Sequence, residues 1–118
     1  MWQRRSYPRF NSKFNNVPTR HNGTSYDSRL EARYAAHLDI LKRGGEIQDW
    51  TLKRTFRLDV NGKHVCKFTP DFFVIGKHGR EEIHETKGIA TRDFMIRWKL
   101  MQALYPEYHY KLVKAKDF

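Results

Sequence analysis

Two carboxylates and a lysine lie near one another in the second half of the sequence, at Asp71, Glu85 and Lys87. Residues two apart in a β-strand point to the same side, so a strand through Glu85 and Lys87 sets a carboxylate beside an ammonium. Asp71 opens the preceding strand, and a hairpin of this length can bring it alongside Glu85. Converging carboxylate oxygens suit a hard divalent cation such as Mg²⁺, or Mn²⁺, and the backbone carbonyl of Thr86 can add a ligand.

The reaction that needs these groups is hydrolysis of a phosphodiester bond. A metal held by Asp71 and Glu85 lowers the pKa of bound water and neutralises charge on the phosphate, while Lys87 positions the water or stabilises the developing oxyanion. The structural alternative is an exposed cross-strand ion pair, with Asp71 as a turn residue after Pro70. Aspartate followed later by Glu-x-Lys is a weak pattern, so its context must decide between the two interpretations.

Glu31 is the fourth candidate, in the first turn of a predicted helix and next to the apolar face of that helix. From there its carboxylate can reach a metal directly or through a water molecule. Ser28 and Glu31 also match the capping box S-x-x-E, in which the glutamate bonds the amide of the cap residue. Both roles remain open, although a helix before the hairpin is the order that such a site requires.

The hydrophobic pattern predicts the elements that must position these groups. A helix opens at Asp27 or Ser28 and ends at Gly44 and Gly45, where basic residues fill the last turn. Asn61-Gly62 between two alternating runs predicts a hairpin. Further strands are predicted at 71–75, 81–87 and 109–113, with a second helix from Thr91 to Pro106. We therefore predict an α/β (α+β) domain with a central mixed β-sheet flanked by helices.

The composition indicates one domain and a polyanionic partner. A chain of 118 residues with 39% apolar residues can bury one core but hardly two. Its 23 lysines and arginines outnumber 13 aspartates and glutamates, which gives a net charge of +10. Because this field attracts polyanions, nucleic acid is the first partner to consider, the alternative being a merely soluble basic domain.

Residues 1–26 contain no acidic residue and differ in composition from the predicted nuclease domain at 27–118. Basic side chains alternate there with aromatic ones, and the basic residues are Arg4, Arg5, Arg9, Lys13 and Arg20. We expect a partly flexible N-terminal arm that contacts phosphates and packs on bases or on a partner subunit. The alternative is a frayed, solvated terminus.

Cysteine content and hydropathy indicate the compartment. Cys66 is the only cysteine, so the chain has no internal disulfide and no thiolate cluster for zinc, which fits a reducing, intracellular environment. No apolar run approaches the length of a signal peptide core or a membrane span. We expect a cytoplasmic protein with no membrane partner.

Three motifs in this order resemble the signature of the PD-(D/E)xK nuclease superfamily, which has a restriction-endonuclease-like core. They are Ser28-Arg29-Leu30-Glu31, Thr69-Pro70-Asp71-Phe72 and Glu85-Thr86-Lys87-Gly88. The likeness is to the phage junction-resolving endonuclease I and to a small phage nuclease family, DUF1064-like. It covers roughly residues 25–113, most of the predicted domain.

The resemblance implies that Glu31, Asp71 and Glu85 supply metal ligands and that Lys87 is the catalytic lysine. It also implies a homodimer that resolves Holliday junctions or other branched DNA, located in the host cytoplasm if the chain is phage-encoded. Because a symmetric four-way junction needs two matched incisions, a dimer has a geometric reason as well. The sequence departs from the pattern at Lys53, where many relatives have glutamine, and at His84, where some have an acid.

Lys53 and Lys99 are further candidates for contacts to DNA, Lys99 because it lies near the apolar seam of the second helix, although a solvated face is the alternative. Three other functions also remain open. One is a general DNA endonuclease or nickase of phage DNA metabolism, and another is a noncatalytic nucleic-acid-binding module. The third is a virion or assembly protein that uses the basic arm.

Overall fold

The computed structural model describes residues 19–21 and 24–118. In chain order its elements are β1 (Thr19–His21), β2 (Thr24–Tyr26), α1 (Arg29–Arg43), β3 (Ile47–Leu52), β4 (Phe56–Val60), β5 (Lys63–Phe68), β6 (Phe72–Gly76), β7 (Glu81–Thr86), α2 (Arg92–Leu104), β8 (His109–Val113) and a short 3₁₀ helix (Ala115–Asp117). The predicted contacts at Arg4, Arg5, Arg9 and Lys13 lie outside the described residues.

The central sheet has four strands in the order β3-β6-β7-β8. β6 pairs antiparallel with both β3 and β7, whereas β8 runs parallel to β7. The predicted α+β fold with a mixed sheet is therefore confirmed. The predicted β4–β5 hairpin also forms, but as a separate two-stranded sheet rather than as part of the central one.

Local signals set the ends of the helices and the hairpin turn. The Ser28 hydroxyl accepts the Glu31 amide at the start of α1, and α1 ends at Gly44. The Asn61 and Gly62 turn has φ of 52° and 78°, the left-handed backbone that a tight hairpin turn requires at both positions. No helix in the described part of the chain is long and apolar enough to cross a membrane.

β3 is an edge strand that the sequence analysis did not predict. Only Ile47 is fully buried among its residues, and the pairing with β6 shifts between Ile47 and Asp49. This irregularity breaks the alternation by which a half-buried strand is recognised. The strand is fixed instead by tertiary contacts, one of them a hydrogen bond of 3.0 Å from the Trp50 indole to Asp39 on α1.

Two apolar layers cover the two faces of the central sheet. Phe72 and Val74 pack with buried residues of α1 on one face. Phe73 and Ile83 pack on the other face, with α2 and the β4–β5 hairpin. Because neighbouring residues of a strand point to opposite faces, β6 contributes to both layers. The sheet is thus flanked by helices, and groups at the end of β7 can meet residues from either side.

The β1–β2 hairpin lies within the segment that was predicted to be an arm. Thr19 pairs with Tyr26, and the Tyr26 side chain is buried in the same layer as α1. Arg20 lies in β1. Regular structure therefore begins before residue 27, while the flexibility of the preceding residues stays a prediction.

Candidate active site

The pairing of β6 with β7 brings Asp71 and Glu85 together. Phe72 lies opposite His84 in the antiparallel ladder, so the residue just before β6 lies beside the end of β7. The backbone amide of Asp71 donates to Glu85 Oε1 at 2.9 Å. Asp71 and Glu85 are only 4% and 5% exposed, which separates them from ordinary surface carboxylates.

Lys87 follows β7 and lies on the same side as Glu85. Its Nζ lies 3.6 Å from Glu85 Oε2 and 4.3 Å from the centre of the Phe94 ring, at the beginning of α2. The Lys87 amide donates to the carbonyl of Val113 at 2.9 Å, which continues the pairing with β8. Its ammonium is thus held between a carboxylate and an aromatic face.

Glu31 reaches the same end of the sheet from α1, and Lys53 links it to Asp71. The Lys53 ammonium donates to Glu31 Oε1 and Oε2 at 3.2 and 3.3 Å, and to Asp71 Oδ1 at 3.0 Å. The Glu31 side chain is nearly buried, at 7% exposed. Glu31, Asp71 and Glu85 form what we call the carboxylate cluster. The Glu31 carboxylate bonds the Lys53 ammonium within it, while the Glu31 amide provides the capping contact to Ser28.

Thr86 has a structural role that the sequence analysis missed. Its amide and its hydroxyl both donate to Asp71 Oδ2, at 3.0 and 2.8 Å. The sequence suggested only its backbone carbonyl, as a metal ligand. The register of β6 against β7 determines this contact, so the position of Thr86 between Glu85 and Lys87 is the only signal in the sequence.

The pKa values of the buried carboxyl groups of Asp71 and Glu85 shift in opposite directions. Burial, and then the charge of Asp71, raises the pKa of Glu85 to about 8. Burial acts in the same direction on Asp71, but the charge of Lys53 and the hydrogen bonds around the carboxyl outweigh it and hold the pKa of Asp71 below its ordinary value. The opposite shifts favour an ionised Asp71 beside a protonated Glu85.

The donor set fits a hard divalent cation, although no three acidic, histidine or cysteine side chains form a ready-made metal site in residues 19–21 and 24–118. Asp71 and Glu85 offer buried carboxylate oxygens, and a cationic group, Lys53, already lies between Asp71 and Glu31. Carboxylate oxygens are the ligands that Mg²⁺ and Mn²⁺ prefer. Asp71 and Glu85, with Glu31, are the residues that would hold such an ion.

Hydrogen bonds of the buried His84 side chain connect α1 to β7. Tyr34 Oη lies 2.7 Å from His84 Nδ1, and His84 Nε2 lies 2.7 Å from Glu82 Oε1. His84 is 4% exposed, and burial lowers its pKa despite the neighbouring Glu82. His84 thus bonds both the helix that carries Glu31 and a residue of its own strand.

Three of the residues predicted to contact DNA lie in the described part of the chain. Lys99 is exposed on α2, and Lys53 points its ammonium into the carboxylate cluster. Arg20 belongs to the β1–β2 hairpin. Contact of these residues with DNA stays a prediction.

The chain was compared with known protein families, curated proteins and solved structures. The model of a family described as "Protein of unknown function (DUF1064)" matches residues 11–118, a range that includes every residue of the carboxylate cluster. No curated protein and no solved structure matches the chain.

Proposed function

The chain belongs to the DUF1064 family, and we propose that it is a metal-dependent DNA endonuclease of the PD-(D/E)xK superfamily. The observation that carries the proposal is the convergence of four residues at one end of the sheet: Glu31 on α1, Asp71 directly before β6, Glu85 on β7 and Lys87 directly after β7. A structural ion pair needs neither two neighbouring buried carboxylates nor a third carboxylate from a helix. Such an arrangement is typical of catalytic sites.

Each residue of the site has a distinct role in phosphodiester hydrolysis. Asp71, oriented by Thr86, and Glu85 would hold Mg²⁺ or Mn²⁺, with Glu31 as a further ligand. When bound, the ion would acidify water and supply positive charge for the phosphate. Lys87, kept beside Glu85 by the Phe94 ring, orients the attacking water or stabilises charge on the phosphate oxygens.

DNA as the substrate is supported by charge. The chain carries a net charge of +10, yet the site itself is a cluster of carboxylates. A positively charged protein attracts the phosphate backbone, and the three carboxylates of the site are buried, so they are available for a metal rather than for repelling DNA. The exposed Lys99 and the basic residues before residue 27 are the proposed backbone contacts.

Branched DNA, in particular a four-way junction, is the substrate class that we propose. This step rests on the resemblance of the three motifs to junction-resolving enzymes. Two symmetric cuts need two sites, and the chain has a single cluster of this kind among its described residues, so the active form would be a homodimer.

The test is cleavage of a labelled four-way junction beside a matched linear duplex and single strand, with Mg²⁺ or EDTA at fixed salt. Wild type is compared with Lys87→Ala and with Lys77→Ala, whose exposed lysine follows β6 at the opposite end of the sheet. We expect paired nicks in the junction alone, abolished by EDTA and by Lys87→Ala and retained by Lys77→Ala.

Other outcomes identify the alternatives. Cleavage of every substrate would keep the nuclease and reject the junction preference, leaving a general endonuclease or nickase. Tight DNA binding without cleavage under any divalent metal would reject the enzyme and favour a noncatalytic binding module.

A further inference from the structure

Lys53 is attached to Asp71 at two points. Its amide donates to the Asp71 carbonyl at 3.2 Å, and its ammonium donates to Asp71 Oδ1 at 3.0 Å. Lys53 lies between β3 and β4 with a left-handed φ of 54°, which is uncommon for a residue with a side chain. Lys53 therefore adopts a backbone conformation that is unfavourable for a residue other than glycine, and from it the ammonium reaches Glu31 and Asp71.

The Lys53 ammonium adds a positive charge beside two buried carboxylates, Glu31 and Asp71. Glu31 and Asp71 are 5% and 4% exposed, and buried carboxylates need a cation or hydrogen-bond donors to remain ionised. The Lys53 ammonium supplies a positive charge and hydrogen bonds to each of the two carboxylates, at distances of 3.0 to 3.3 Å. The Lys53 side chain is itself 27% exposed, so one side of it faces solvent.

We propose that Lys53 is a tethered cation that occupies the place of the metal ion between Glu31 and Asp71, so that metal binding displaces its ammonium. This inference rests on the proposed function. Both cations need the same carboxylate oxygens, and they repel each other at the few ångströms that would separate them. Because the Lys53 side chain is partly exposed, its ammonium can move from the carboxylates into solvent.

The exchange would couple metal binding to substrate binding. Before the metal arrives, Lys53 holds the two carboxyl groups together, in addition to the hydrogen bond between Glu31 and Asp71. After the exchange, the same ammonium becomes a cation at the mouth of the site, where a DNA phosphate would bind. A lysine at this position thereby makes metal-free protein stable while lowering its affinity for the metal.

The first measurement is the reactivity of the Lys53 amine in wild type, read by acylation and mass spectrometry with and without Ca²⁺ or Mg²⁺. We expect labelling of Lys53 to rise several-fold when the metal is added, because the amine leaves its ion pairs. Labelling of Lys77 and Lys116, both exposed, should not change. This measurement needs no variant and does not depend on activity.

The second measurement is Mn²⁺ affinity by electron paramagnetic resonance for wild type, Lys53→Met and Arg54→Met. Arg54 is a matched control, since it removes one neighbouring positive charge that lies over the Phe73 ring, 4.4 Å from its centre. We expect Lys53→Met to bind Mn²⁺ about 10-fold more tightly, and Arg54→Met to change the affinity less than about 3-fold.

The outcomes separate this inference from the proposed function. If wild type binds Mn²⁺ and Asp71→Asn abolishes binding, but Lys53 labelling and the affinity of Lys53→Met stay unchanged, the metal site stands and the exchange is wrong. If neither wild type nor Lys53→Met binds Mn²⁺, the proposed metal site fails, and the exchange fails with it.

Discussion

Glu85 links the chemistry of the site to the stability of the fold. Burial and the charge of Asp71 raise its pKa from an ordinary 4.5 to about 8, so the folded protein binds this proton more tightly than the unfolded chain. The resulting stabilisation is fully present below pH 4.5 and is lost as the pH rises through about 8. A metal ion, which favours the ionised carboxylate, would act in the opposite direction.

We therefore predict that the thermal stability of the metal-free wild type relative to that of Glu85→Gln falls as the pH rises from about 5 to 8, because glutamine does not titrate. His84, whose lowered pKa acts in the opposite direction, is common to both proteins. Unfolding midpoints measured in EDTA across this range test the prediction. Mg²⁺ should raise the midpoint of wild type more at pH 8 than at pH 6. Identical pH profiles for wild type and Glu85→Gln would show that Glu85 does not titrate in this range.

Thr86 allows a test of how Asp71 is oriented. Thr86→Val removes the hydroxyl that donates to Asp71 Oδ2 at 2.8 Å and leaves the amide in place. We expect a loss of about 1–3 kcal/mol in the free energy of unfolding, measured in urea, because a buried carboxylate loses a donor. Thr51→Val, at an exposed position in β3, is the control and should change stability by less than about 0.5 kcal/mol. Equal losses in the two variants would contradict the role given to Thr86.

At the scale of elements, α1 and β7 are connected by the Tyr34 and His84 contact. Tyr34→Phe keeps the packing and removes the hydroxyl, leaving His84 Nδ1 without this partner. We predict a loss of about 1–3 kcal/mol in the free energy of unfolding. Because Glu31 lies one turn away on α1, weaker Mn²⁺ binding should accompany this loss.

Tyr108→Phe, in the layer of α2, is the matched control for that experiment. It changes the same group on the opposite face of the sheet and should leave Mn²⁺ affinity near that of wild type. If the two tyrosine variants lower the affinity equally, α1 is not positioned through His84.

The elements differ in how well sequence determines them. α1 and the β4–β5 turn have strong local signals, a capped amphipathic helix and Asn61-Gly62, and both form as predicted. β3 has no regular alternation, because it is an irregular edge strand with one fully buried residue. Its existence depends on pairing with β6, a long-range contact that no local pattern contains.

The same distinction applies within the site. Glu85 and Lys87 are neighbours because of the period of a strand, and so their proximity is predictable from spacing alone. The contacts of Asp71 with Thr86 and Lys53 depend on strand register and on the path of a loop. Sequence placed Lys53 among possible DNA contacts, whereas in the structure its ammonium binds two buried carboxylates.

At the scale of the whole molecule, the net charge of +10 predicts strongly salt-dependent DNA binding. The quantity to measure is the slope of log affinity against log salt on a four-way junction, for the Lys87→Ala protein, in which we expect no cleavage. Replacing Arg4, Arg5, Arg9 and Lys13 by glutamine should reduce the slope by about 3–4 if each contacts a phosphate. An unchanged slope would mean that these residues are a solvated terminus.

The parallel pairing of β7 with β8 makes the site depend on a segment that is synthesised after every residue of the site. Until His109–Val113 leaves the ribosome, β7 lacks one neighbour, and the Lys87 amide lacks the Val113 carbonyl that it bonds. Parallel strands also need an intervening crossover, here through α2, before they can pair. A nascent chain that ends before His109 is therefore expected to carry every residue of the site without a folded site, which would delay any cleavage until β8 has been synthesised.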